Sequence, residues 1–180
     1  HQADGKSYAV PSDNPFVGVE KARPEIWSYG HRQGWKFSWD SADGTMWAGE
    51  VGQDLWEMVY IIQRGGNYGW SVREGRHPFR PDRPKGPGEF IEPIVEHPHH
   101  DFRSITGGFV YHGTRLPELL GHYIYGDYDT GKLWALKWDA KARSVTANFE
   151  LCDVQLRAVD FGQTLDGEIK LALIADPEEN

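Results

Sequence analysis

Residues 35–40, Trp-Lys-Phe-Ser-Trp-Asp, alternate aromatic with polar side chains, the pattern of a strand with one face on a core. Residues 41–44 turn this run into a second one, 45–51, where Gly49 and Gly52 mark a bulge or a close backbone approach. A third β-rich run, 56–62, ends at Arg64-Gly65-Gly66-Asn67, a strong turn signal, and Tyr68-Gly69-Trp70 opens another strand. Upstream, residues 1–24 read as an irregular lead-in and 25–29 as a strand. Downstream, 77–93 is a Pro-rich surface loop, 94–97 a short strand, and 105–113 the opening of the next β unit. Residues 122–128 and 132–138 pair around Asp129-Thr130-Gly131, and 145–151, 157–161 and 168–174 are further strands before an acidic tail, 176–180. Strand, tight turn, strand without helical periodicity predicts an antiparallel all-β protein.

Asp43-Gly44-Thr45-Met46-Trp47-Ala48 is echoed by Thr130-Gly131-Lys132-Leu133-Trp134-Ala135 and more weakly by Asp166-Gly167-Glu168-Ile169-Lys170-Leu171. The echo is either a propeller repeat of about 40–50 residues per blade or the common Asp-Gly hairpin turn. Read as a repeat, 180 residues make roughly four four-stranded blades.

Composition narrows the function classes. Eight Trp, eight Tyr and eight Phe with 21 Gly and 11 Pro suit stacked strands joined by tight turns. A net charge of -8 argues against binding along a phosphate backbone, so no nucleic-acid partner is expected. Cys152 is alone, so no intrachain disulfide can form. No apolar run approaches the ~18 residues of a membrane span. The start, His1-Gln2-Ala3-Asp4-Gly5, has no apolar signal region, and a chain opening on His reads as a fragment or processed product. His97, His99 and His100 suggest zinc, but no fourth ligand stands at a known spacing.

Several ordered motifs carry a resemblance. They are Trp27-Ser28-Tyr29-Gly30-His31-Arg32, Trp47-Ala48-Gly49-Glu50-Val51-Gly52-Gln53, Gly65-Gly66-Asn67-Tyr68-Gly69-Trp70, Arg73-Glu74-Gly75, residues 104–111 and Tyr125-Gly126-Asp127-Tyr128. Together they resemble the glucose/sorbosone dehydrogenase family, six-bladed β-propellers related to the soluble quinoprotein sugar dehydrogenases. The propeller of the Hedgehog-interacting protein is similar. The resemblance implies that residues 1–180 form part of one such propeller, with N-terminal blades missing.

It also implies a chemistry: pyrroloquinoline quinone (PQQ) with Ca²⁺, oxidation of a sugar hydroxyl by hydride transfer to the quinone, a separate electron acceptor, and a periplasmic or secreted protein. The organic chemistry belongs to the cofactor, and the protein supplies position and charge. By the same motifs Arg32, Gln33, His112 and Arg157 are the cofactor-binding residues, with Gln33 where relatives have Asn and His112 where they have Lys or Arg. Gly52 and Gln53 offer backbone carbonyls to Ca²⁺, which favours oxygen ligands. Arg32, Gly52, Gln53, His112 and Arg157 are expected to converge on one end of the channel. The catalytic base is expected upstream of this chain, so the isolated fragment is expected to be inactive. The alternative is a non-catalytic propeller that binds a partner.

Overall fold

The computed structural model describes residues 8–175; the acidic tail and the first residues of the lead-in lie outside it. Twelve strands run in chain order: β1 (Gly34–Trp39), β2 (Met46–Val51), β3 (Trp56–Ile62), β4 (Arg73–Glu74), β5 (His77–Pro78), β6 (Val95–Pro98), β7 (Ile105–Val110), β8 (Tyr123–Asp127), β9 (Lys132–Asp139), β10 (Ser144–Asp153), β11 (Arg157–Gln163) and β12 (Ile169–Ile174). The only helix among the described residues is one 3₁₀ turn, Pro117–Leu119. Every strand pair is antiparallel.

Two sheets have the four strands of a propeller blade, in the orders β1-β2-β3-β6 and β7-β8-β9-β10. The β11-β12 hairpin forms a third, two-stranded sheet and β4-β5 a small fourth one. The chain therefore builds four antiparallel sheets, the number of blades that repeat length had suggested, but only two of them have the expected four strands. The difference lies in residues 63–94. They lengthen the first blade by an excursion that carries β4, β5 and the Pro-rich loop and packs Tyr68 and Ile91 against Met58 and Tyr60.

The sheets pack face on. Trp47 and Val59 of the first sheet meet Ile105, Val110, Tyr123, Tyr125 and Leu136 of the second, with Trp47 stacked on Tyr123 at 4.6 Å between ring centroids. Tyr111, Ile124 and Ala135 meet Phe161 of the third. Where the first two sheets approach most closely only glycine fits: a Cβ on Gly49 would stand 2.7 Å from the Gly107 Cα. Strand β7 also packs against β1 and β11, and Lys36 of β1 reaches Asp160 of β11 at 2.6 Å. These three edge strands therefore stand side by side around one axis.

On the side of the first sheet away from the second, Trp35, Phe37 and Trp39 are exposed at 60%, 54% and 57%. Their period-2 spacing gives β1 a fully apolar face with nothing packed on it among the described residues.

Two expected strands are absent. Residues 25–29 contribute only a bridge from Tyr29 to Asn67, and 68–70 form a corner. Residues 27–30 still exchange backbone bonds with 65–70, and Asn67 shapes the corner. Its amide donates to the carbonyls of Lys85 and Pro87 and its Oδ1 accepts from the Gly69 N–H, so it ties the Pro-rich loop to the segment instead of extending a ladder.

The sequence echo marks hairpin turns, not equivalent blade positions. Gly44, Gly131 and Gly167 all have positive φ (76°, 71° and 82°). Gly44 and Gly167 close the first hairpins of their sheets, β1-β2 and β11-β12, whereas Gly131 joins β8 to β9 at the opposite end. A glycine tolerates this backbone at any tight hairpin, which is why the signal recurs without a common blade period.

Candidate functional site

Strand β1 runs from Arg32 at one end of the first sheet to Asp40 at the other, and β2 returns to Gly52 beside Arg32. Arg32 is fixed on three sides. Its backbone N–H donates to Glu50 Oε1 at 2.6 Å, and its guanidinium donates to Gln53 Oε1 at 3.1 Å and to the Val51 carbonyl at 3.2 Å. The guanidinium also lies 5.9 Å from the Trp70 ring centroid, within cation–π range. Glu50 is buried, and its second oxygen meets His31 Nδ1 at 2.7 Å. The His31 ring stacks on Tyr68, and its Nε2 meets Ser28 Oγ at 2.9 Å.

The loop after β2 is wired from behind. Gly52 N–H donates to Glu57 Oε1 at 3.2 Å. The N–H groups of Gln53, Asp54 and Leu55 all converge on Glu74 Oε1, the Asp54 contact being 2.8 Å. Each peptide unit is planar and trans, so an N–H turned inward turns the preceding carbonyl outward. The carbonyls of Val51, Gly52, Gln53 and Asp54 thus face away from the two buried carboxylates. The Val51 carbonyl, bound by Arg32, bears this out. A side chain at position 52 has no room, since its Cβ would fall 1.8 Å from the Trp56 carbonyl oxygen. Outward carbonyls suit a hard cation. No group of three or more His, Cys, Asp or Glu side chains among the described residues could hold a metal, which includes the histidines at 97–100. His97 instead bonds Tyr125 Oη at 2.7 Å, and burial lowers its pKa to about 4.

Glu57 is fully buried between the sheets, where desolvation raises its pKa to about 8. It accepts the Ile105 N–H at 2.8 Å and meets His99 Nε2 at 2.8 Å.

Arg157 opens β11 at the same end, as the Lys36–Asp160 contact requires for strands β1 and β11 running alongside β7. It pairs with Asp129 at 3.1 Å and lies over the Tyr128 ring at 5.1 Å. Buried Asp127 holds the turn that presents Asp129, accepting from the N–H groups of Arg103, Ser104, Asp129 and Thr130. Gln33 is also at this end, with an exposed side chain and a backbone carbonyl that accepts the Val51 N–H.

Arg32, Gln33, Gly52 and Gln53 thus lie together at the open end of the β1-β2 hairpin, and Arg157 starts β11 at the same end of the sheets. The structure does not bring His112 to them. His112 follows the far end of β7, where its Nε2 binds Asp40 and its N–H donates to the Gly167 carbonyl. The expected five-residue convergence fails at this residue because β7 runs the same way as β1, carrying position 112 to the Asp40 end. Sequence reasoning also passed over the carboxylates behind the site, Glu50, Glu74 and Asp129. The Arg73-Glu74-Gly75 motif was the available signal for one of them.

The chain matches the model of the Glucose / Sorbosone dehydrogenase family over residues 2–178. It is 35% identical over 142 residues to the HIPL1 protein of Arabidopsis thaliana, a match that covers 72% of this chain and 20% of that one. Among solved structures it superposes on a glucose dehydrogenase with a TM-score of 0.76 and 27% identity, covering 93% of this chain and 49% of the other. The PQQ-bound aldose sugar dehydrogenase of Streptomyces coelicolor shares the fold with a TM-score of 0.61 at 20% identity. The chain thus spans about half the length of these solved dehydrogenases and a fifth of HIPL1. On a family match that runs almost end to end, together with the blade architecture it predicts, the chain belongs to the glucose/sorbosone dehydrogenase family.

Proposed function

We propose that these sheets are the part of a quinoprotein sugar dehydrogenase propeller that holds PQQ and Ca²⁺. The observation that supports the reading is Arg32 beside the outward carbonyls of Gly52 and Gln53, with Arg157 at the same end of the sheets. When bound, the quinone supplies the hydride acceptor. Arg32 and Arg157 would pair with its carboxylates, a role suited to the planar guanidinium fork, and the Gly52 and Gln53 carbonyls would hold Ca²⁺. The apolar face of Trp35, Phe37 and Trp39 receives a preceding blade of the same propeller, as the first sheet receives the second. The substrate is a sugar, the protein works with a separate electron acceptor, and the resemblance favours a periplasmic or secreted setting. No helix among the described residues is long and apolar enough to cross a membrane.

Calorimetric titration with PQQ and Ca²⁺ tests the reading. Arg157→Ala should weaken quinone binding by about 1.5 kcal/mol, the low end for a charged hydrogen bond, because Asp129 competes for the guanidinium. Unchanged affinity makes this arginine structural, and no binding by the unaltered chain removes the cofactor reading. The unaltered 180-residue chain should show no dye reduction with glucose, PQQ and Ca²⁺, since base, substrate and cofactor must be held together. Turnover by this chain alone would place the base within it.

A second reading is a propeller that binds a partner without catalysis. It is favoured by His112, which is tied to Asp40 away from the other expected cofactor contacts. Retention of a partner without any PQQ affinity would decide for it.

A further inference from the structure

The Arg73-Glu74-Gly75 motif touches none of the residues that the proposed chemistry needs by side chain. We infer that Glu74 is the positioning residue that turns the 52–54 carbonyls outward into a cation-binding edge. This inference rests on the Ca²⁺ reading above and names the residue that builds the site.

Glu74 is 4% exposed, and one of its oxygens, Oε1, receives three consecutive backbone N–H groups, from Gln53 to Leu55. Planarity of the peptide unit converts those three contacts into three outward carbonyls, at 52, 53 and 54. A backbone loop with no such anchor samples orientations of its peptide planes. Each carbonyl would then have to be ordered by the cation itself, at a cost in affinity.

The rest of the motif supports the anchor. Gly75 has a φ of +57°, and a Cβ there would meet Glu96 Oε2 at 2.6 Å, so the chain can turn sharply behind Glu74 only with glycine. Arg73 bonds Glu92 through its guanidinium at 2.5 Å and donates to the Arg76 carbonyl at 2.7 Å, which pins the β4-β5 hairpin that carries Glu74. Glu57, the other buried carboxylate, serves Gly52 N–H alone in this loop and is shared with Ile105 and His99. The orientation of the Gly52 and Gln53 carbonyls therefore depends on Glu74. A glutamine in its place offers a weaker, neutral acceptor, and an aspartate falls about one methylene short.

The test uses the 180-residue chain with two readouts. Backbone hydrogen exchange at Gln53, Asp54 and Leu55 should be at least tenfold faster in Glu74→Gln than in the unaltered chain, with exchange in β8 and β9 unchanged as the check on folding. Ca²⁺ titration should show at least a tenfold weaker affinity in the same variant. Glu74→Asp serves if the glutamine variant does not fold, and Glu118→Gln, at an exposed position on the 3₁₀ turn between β7 and β8, should leave both readouts unchanged. Equal exchange in Glu74→Gln and the unaltered chain overturns the positioning role. Faster exchange with unchanged Ca²⁺ affinity overturns the link between this loop and the cation. An unaltered chain that takes up no Ca²⁺ overturns the calcium reading, while the exchange result still decides whether Glu74 sets the loop.

Discussion

Replacing Gly49 by alanine is expected to destabilise the chain by about 3 kcal/mol, the upper end for inserting a carbon into a packed interior. The new Cβ would stand 2.7 Å from the Gly107 Cα and 2.8 Å from its nitrogen, both backbone atoms of the facing sheet. Neither can move as a flexible side chain does. Gly107 is itself committed, with a φ of +83° and the Lys36 carbonyl 3.1 Å from where its own Cβ would be. The strain must then part β2 from β7, the seam that carries the Trp47–Tyr123 stack. For a chain of this size the loss corresponds to a fall in Tm of roughly 6–12 °C. Gly162→Ala is the control, because a Cβ there meets nothing within 4 Å. Equal melting temperatures for both variants would show that the sheets are not packed backbone to backbone at this point.

Stability is expected to fall by about 2 kcal/mol between pH 6.5 and pH 8, and Glu57 is the cause. Its folded pKa, about 8, stands above its unbound value of 4.5 because of burial. Between those values the native state keeps a proton that the unfolded chain has released. Stability from this group is therefore complete below pH 4.5 and is lost as pH rises through about 8. His97 acts in the opposite sense. Burial lowers its pKa from 6.5 to about 4, so in that window the unfolded chain holds the extra proton and stability rises with pH. The two slopes oppose each other up to pH 6.5, and above it the Glu57 slope outlasts that of His97. Denaturant unfolding at pH 6.5 and pH 8 measures the difference. Glu57→Gln, which removes the titrating carboxyl, should abolish it. A slope that survives in Glu57→Gln would assign the effect to another group.

How much of this was legible in the chain varies with the physics involved. The alternation in β1, the apolar run of β3 and the turn glycines between them are local signals, and the structure places strands there within one or two residues. The motif order in residues 27–128 identified the family. The placement of Arg32 next to Gly52 and Gln53 also followed locally, since β1 and β2 form one hairpin whose open end brings them together.

Other features depended on how sheets meet, which no local pattern encodes. The period-2 aromatics of β1 promised a buried face, yet Trp35, Phe37 and Trp39 are exposed because nothing among the described residues packs on them. Tyr68-Gly69-Trp70 has strand-like composition, but Asn67 hydrogen-bonds across to the Pro-rich loop and turns the backbone into a corner. His112 matched a basic position in the motif order, and the direction of β7 sent it to the Asp40 end. Glu50, Glu57 and Glu74 look like ordinary polar positions in a strand or turn. Only folding removes them from water and gives Glu50 the Arg32 N–H, Glu57 those of Gly52 and Ile105, and Glu74 those of residues 53–55, and those bonds fix the peptide planes at this end. Local patterning was enough for most of the strands, for their hairpins and for the family. The tertiary structure decided which residues share an end of the channel and which carboxylates stand behind them, because both depend on contacts between sheets far apart in the chain.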